Sequence, residues 1–137
     1  MSETIRIVVL GEPPSGNHYK NFRVIEQWVT RNGRRVKVPI PMWYHTDQAK
    51  HWWANVDRAA GGRQMTGKAF EVSYIVFQGP NSRGDVDNYA KTIFDSLVRA
   101  KVIPSDAAVT DMHGHKRRDR QNPRTVIQIS CPQQHLF

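Results

Sequence analysis

The sequence predicts a small single-domain α+β fold over residues 1–137, with a mixed or antiparallel sheet packed against two helices. Three observations predict it. The 137 residues suit one compact domain, which typically holds roughly 100–150. Runs of β-prone residues and of helical periodicity follow one another in the order β, hairpin, α, β, α, β, β. No internal repeat, low-complexity segment or interdomain linker breaks that order.

Each element has a local reason. Thr4–Leu10 is β-branched and apolar, and it stops at the turn-rich Gly11-Glu12-Pro13-Pro14-Ser15-Gly16-Asn17. Phe22–Val29 and Arg35–Ile40 flank Thr30-Arg31-Asn32-Gly33-Arg34. An Asn-Gly pair between two β-prone runs signals a hairpin, because both residues tolerate positive φ. Thr46 or Asp47 is placed to cap a helix running through Trp52, Trp53 and Val56 to Gly61-Gly62. Ala69–Phe77 reads as a strand. From Asn88 to about Ala100, Tyr89, Ile93, Leu97 and Ala100 form an apolar stripe at helical spacing. Ala108–His115 and Thr125–Cys131 are the last two strands.

Charge narrows the function classes. Twenty Lys and Arg against twelve Asp and Glu leave a net charge of +8, with an isoelectric point near 10.1. Such a chain attracts polyanions, since neutralising phosphates releases condensed counterions. The single Cys131 excludes an intrachain disulfide. Met1-Ser2-Glu3-Thr4 lacks the basic and apolar regions of a signal peptide. Apolar runs such as Ile7–Leu10 fall far below the ~18 residues of a membrane span. A cytoplasmic protein without membrane contact is expected.

Against that basic background, acids concentrate around the second helix: Asp85, Asp87, Asp95 and, beyond its far end, Asp106. Asp85 and Asp87 leave the same face if the backbone there is extended. Converging carboxylates would make a hard oxygen site suited to Mg²⁺ or Mn²⁺, and such an ion activates water and stabilises charge on a phosphate under attack. A plainer account stands beside this one. Asp87 is placed as an ordinary N-cap, Asp85 favours the positive end of the helix dipole, and Asp106 suits a turn cap. Lys91 and Asp95, at i and i+4, suit a surface pair worth about 0.3–0.5 kcal/mol.

Asp85-Val86-Asp87-Asn88-Tyr89-Ala90-Lys91, then Phe94-Asp95-Ser96-Leu97, then Ser105-Asp106-Ala107-Ala108-Val109 resemble the acidic motif of RusA-type Holliday junction resolvases. Pro13-Pro14-Ser15-Gly16-Asn17-His18-Tyr19 looks like that family's segment after its first strand. The chain departs from the pattern at Ser105-Asp106, where paired acids are usual, and around Arg99–Val102. The resemblance implies a homodimeric, Mg²⁺-dependent endonuclease, often prophage-encoded, that nicks four-way DNA junctions symmetrically. It implies Asp85, Asp87 and Asp106 as metal ligands, Lys91 as catalytic lysine and Asp95 as an additional acid.

Two basic segments are candidate DNA contacts. Arg31, Arg34, Arg35 and Lys37 make the hairpin cationic, and Lys116, Arg117, Arg118 and Arg120 follow His113-Gly114-His115. The second segment either tracks phosphates or forms a solvated turn. His113-x-His115 lacks the further Cys or His of a zinc site. Trp28, Trp43, Trp52 and Trp53 read as core residues, and Phe22 is a candidate wedge at a junction centre. Two other functions fit the same residues. One is a non-catalytic branched-DNA-binding protein, and the other is a nuclease of the same chemistry acting on flaps, forks or RNA.

Overall fold

The computed structural model describes residues 3–14 and 20–132. The Ser15–Tyr19 part of the Pro-rich motif and Met1-Ser2 therefore lie outside the described residues. Strand β1 (Glu3–Leu10) leads to a long hairpin of β2 (Lys20–Arg31) and β3 (Arg34–His45). Helix α1 (Asp47–Ala60) follows, then β4 (Phe70–Gln78), α2 (Ala90–Arg99), β5 (Val109–Arg118) and β6 (Arg124–Cys131). Short 3-10 turns at Val86–Tyr89 and Asp106–Ala108 precede α2 and β5. The expected α+β fold and the element order are both present.

The body is a mixed four-stranded sheet in the order β1-β6-β4-β5. β1 and β4 run antiparallel to β6, and β5 runs parallel to β4. A parallel neighbour requires a crossover, and the segment holding α2 supplies it. Strand alternation then sorts the side chains. Phe70, Val72, Tyr74 and Val76 of β4 are fully buried, as are Ile127 and Ile129 of β6 and Ile7 and Val9 of β1. Trp52 and Val56 of α1 and Ile93 and Leu97 of α2 complete that core. Burying such side chains is worth roughly 1.5–3 kcal/mol each.

The caps follow their sequence signals. The Thr46 hydroxyl accepts from the Ala49 amide at 3.2 Å, and Gly61 ends α1 at φ 59°, where a glycine is free of Cβ strain. In the hairpin, Asn32 and Gly33 have φ of 51° and 75°, the positive values a two-residue primed turn requires.

The hairpin is an arm, because β2 and β3 form a separate two-stranded sheet. It is longer than the sequence predicts, running past Ile40 and Pro41 to His45 with Pro39 also inside the strand. Proline cannot donate into a ladder, so both prolines sit where the backbone nitrogen faces away from β2. The register puts Phe22/Trp43, Val24/Pro41, Glu26/Pro39 and Trp28/Lys37 on one face. Ile25/Ile40, Gln27/Val38 and Val29/Val36 share the other. Trp28 and Trp43 are therefore not core residues: they are 55% and 70% exposed. Trp52 is buried as expected, and Trp53 is half-buried.

Candidate active site

The loop before α2 is fixed from several sides. Gln78 occupies a buried position of β4, the one polar residue in an otherwise apolar register. Its side-chain amide donates to the Gly84 carbonyl and to the Tyr89 hydroxyl, both at 2.8 Å. A Cβ on Gly84 would stand 2.0 Å from the Tyr89 Oη, so this close approach requires glycine. Tyr74 donates from its hydroxyl to the Val86 carbonyl at 2.7 Å. Opposite it in β5, Gly114 leaves room for that ring, since a Cβ there would meet Tyr74 Oη at 2.5 Å. Arg118 donates to the Gly79 carbonyl, which makes it a brace for the loop rather than a free cation.

That frame presents Asp85 and Asp87. Asp85 is the N-cap residue, but its side chain makes no capping hydrogen bond. Its carboxylate is 71% exposed and lies 3.8 Å from Lys116 Nζ. Asp87 is exposed in the first turn. Burial, and then the negative charge of Asp87, hold the Tyr74 phenol above its ordinary value. Tyr74 thus stays protonated, as its bond to Val86 requires.

Lys91 lies one turn beyond Asp87 and is exposed; Asp95 lies a further turn on and is half-buried. The expected Lys91–Asp95 pair does not appear among the ion pairs of the described residues. Asp106 is exposed, and Ser105, not Asp106, supplies the cap: its Oγ accepts from the Ala107 amide at 3.1 Å. Asp87, expected as the N-cap, lies inside the 3-10 turn with Asp85 at the cap position, so capping explains neither Asp87 nor Asp106. Asp95 and Asp106 line one cleft of about 270 Å³ with His45, Arg99 and Pro104.

The structure brings the acids together in two groups. Asp85 and Asp87 stand at the start of α2, Asp95 and Asp106 toward its end. Ten helical residues separate those ends, roughly 15 Å at the usual rise. Among the described residues no three His, Cys, Asp or Glu side chains stand close enough to hold a metal ion. A single chain therefore does not make the three-carboxylate site expected from Asp85, Asp87 and Asp106.

A second, larger cleft of about 1190 Å³ opens between the exit of β1, α1 and the loop before α2, with Asp85 on its wall. Glu12 crosses it: one carboxylate oxygen accepts from the Gly79 amide at 3.1 Å. Its other oxygen is buried without a partner among the described residues, as is the Trp52 indole nitrogen. Sequence reasoning missed Glu12, Gln78 and Tyr74 as positioning residues. Gln78 alone carried a signal, a polar side chain on the apolar face of a strand.

The cationic residues divide between two elements. The strand expected over Ala108–His115 runs on to Arg118 as β5, at the sheet edge, so the alternative of a solvated turn does not hold for that part of the segment. Lys116 and Arg117 are exposed there, and Arg120 follows in the next turn. Arg31, Arg34, Arg35 and Lys37 are exposed on the arm, with Arg35 and Lys37 each 5.5 Å from the Trp28 ring. His113 pairs with Glu71 at 3.2 Å. Phe22 lies in β2 against Trp43, ring centroids 5.2 Å apart.

A basic fold that sets carboxylates and a lysine along one helix, beside a cationic arm, has the makings of a protein that acts on nucleic acid. No helix of the described residues is long and apolar enough to cross a membrane. Residues 12–130 match the sequence profile of the family endodeoxyribonuclease RusA, and the chain belongs to that family. Membership implies a nuclease of the junction-resolving kind that acts on branched DNA. No curated protein matches the chain closely enough to add to this.

Proposed function

We propose that the protein is a cytoplasmic, Mg²⁺-dependent endodeoxyribonuclease, with Mn²⁺ as substitute, that resolves four-way junctions by symmetric phosphodiester hydrolysis. The observation that carries this reading is the row of Asp87, just before α2, and Lys91 and Asp95 along it, the first two exposed and the third half-buried, in a chain of this family. Asp85 and Asp87 are the hard oxygen donors that such an ion takes. Because Asp106 stands at the far end of α2, we place it in the same site through a second copy of the chain. A two-fold homodimer then presents two equal sites to opposing strands of a junction that is itself two-fold symmetric.

When bound, the ion supplies a polarised water and charge stabilisation at the phosphate. The chain's own residues do the positioning. Lys91, exposed between the two acidic groups, meets the scissile phosphate or orients the attacking water. Lys116 holds the Asp85 carboxylate at the mouth of the site. Arg31, Arg34, Arg35, Lys37, Arg117 and Arg120 contact phosphates, which sets register without reading sequence. Phe22 wedges into the junction centre.

The division of the acids within one chain favours a second reading, a branched-DNA-binding protein without chemistry. One experiment separates the two. Labelled four-way junction and linear duplex are incubated with the protein and Mg²⁺ or EDTA, alongside Asp87→Asn. Paired nicks in the junction, absent with EDTA and reduced at least ~100-fold in the variant, are expected. Junction binding without cutting would sink the nuclease reading.

A further inference from the structure

Beside the cations that meet phosphates, the arm carries two exposed tryptophans that the proposed chemistry does not use. Between residues 20 and 45 there are six cations, Lys20, Arg23, Arg31, Arg34, Arg35 and Lys37, against Glu26 alone. That is +5 of the chain's +8, and Glu26 is already paired with Lys37 at 3.4 Å. On this cationic arm two indoles stand open on one face, Trp43 toward the base and Trp28 toward the tip, roughly 20 Å apart at strand spacing. Exposed tryptophans cost free energy in water unless a partner covers them.

The base of that face joins the candidate active site. His45 lies two residues beyond Trp43, on the same side of β3, and lines the cleft with Asp95 and Asp106. Its ring packs edge-on against Trp53 at 4.8 Å, and the Arg99 guanidinium covers Trp53 at 3.6 Å. These contacts fix where the arm leaves the body. Trp43 stands about 6.6 Å beyond His45 along β3, so a DNA strand lying in that cleft meets the aromatic face next.

We propose that the aromatic face of the arm, through Trp43 and then Trp28, is a stacking platform for unpaired bases of the branched DNA. This rests on the nuclease reading for the choice of substrate. Charge excludes a second copy as the favoured occupant, since two +5 arms repel, whereas a polyanion releases counterions on meeting either one. Indole planes take the faces of bases, and a duplex keeps those faces covered by its own stacking. A branch point is where they become free.

The test measures binding in EDTA, so that nothing is cut, to a four-way junction, a dT oligonucleotide and a linear duplex. The proteins are wild type, Trp43→Ala, Trp28→Ala and Trp43→Phe, each checked for oligomeric state by gel filtration. Trp43→Ala is expected to weaken junction and dT binding about 5- to 100-fold, with duplex binding unchanged. Trp28→Ala does the same more weakly, and Trp43→Phe retains most of the affinity. Equal loss on duplex and dT would reduce the face to a phosphate contact, and no loss on any substrate would remove it; either overturns the proposal. A changed elution volume in Trp43→Ala would make the face a subunit interface and overturn it too. Cutting of a junction by the same proteins in Mg²⁺ separates the two readings. A wild type that stacks through Trp43 but never cuts ends the nuclease reading and leaves the platform. A Trp43→Ala that binds and cuts like wild type does the reverse.

Discussion

Strand β4 in the body and strand β3 in the arm both alternate along their length, yet they end in opposite environments. In β4 every second residue, from Phe70 to Val76, is buried under α1 and α2. In β3 the corresponding apolar row, Val36, Val38 and Ile40, is only half-buried, shielded chiefly by cross-strand neighbours such as Val29 and Ile25. The period-2 pattern reports that a face is apolar, not what lies on it. An isolated two-stranded hairpin is marginal in water. The arm holds its shape through its Asn32-Gly33 turn, its cross-strand pairs and the cations over Trp28.

Truncation in each region tests that contrast most strongly. Ile129→Ala in β6 is expected to cost about 2–5 kcal/mol in urea denaturation, the usual cavity cost of a packed isoleucine. Ile40→Ala in the arm is expected to stay within about 0.5 kcal/mol. A loss at Ile40 as large as that at Ile129 would mean the aliphatic face is covered in solution.

The division of labour is sharpened by a charge. Arg34→Ser at the tip should leave stability unchanged and reduce the slope of log affinity against log salt by about 0.9 on duplex DNA. An unchanged slope would take Arg34 off the phosphate path.

The smallest effect belongs to the turn between β5 and β6. The hydrogen bond from Arg124, at 2.9 Å, leads the causes holding the Asp119 carboxyl below its ordinary range, with the amides of Asn122 and Gln121 adding to it. A lowered folded value stabilises the fold above the unfolded aspartate's range and is lost as pH falls through it. Asp119→Ala should therefore melt slightly lower than wild type at neutral pH, and the gap should close in acid. A gap that persists in acid would assign the effect to packing.

How far the sequence could be read differs between the same two regions. The caps at Thr46 and Gly61 and the Asn32-Gly33 turn were legible because each answers a local backbone demand. The end of β3 was not, since the strand read as stopping at Ile40, before Pro41, until an outward-facing edge accommodates that proline. The strand read over Ala108–His115 stopped short of Arg118, because an edge strand exposed on both sides tolerates charge that a central strand would not. At the site, the residue types and their spacing along α2 were readable. The separation of Asp85 and Asp87 from Asp106 was not, because only the path of the β4–α2–β5 crossover decides it. Gln78, Tyr89 and Gly84 meet through side-chain geometry that no periodicity encodes.

The outward-facing prolines also bear on how such arms can multiply. An exposed strand edge invites another strand, and a ribbon with two open edges can recruit neighbours without end. Here the β3 edge lacks two donors in succession along its outer row, while the β2 edge keeps its own. A further strand is therefore disfavoured along that stretch of β3 more than along β2. Two outward-facing prolines thus make one edge of the arm a poor template for another chain.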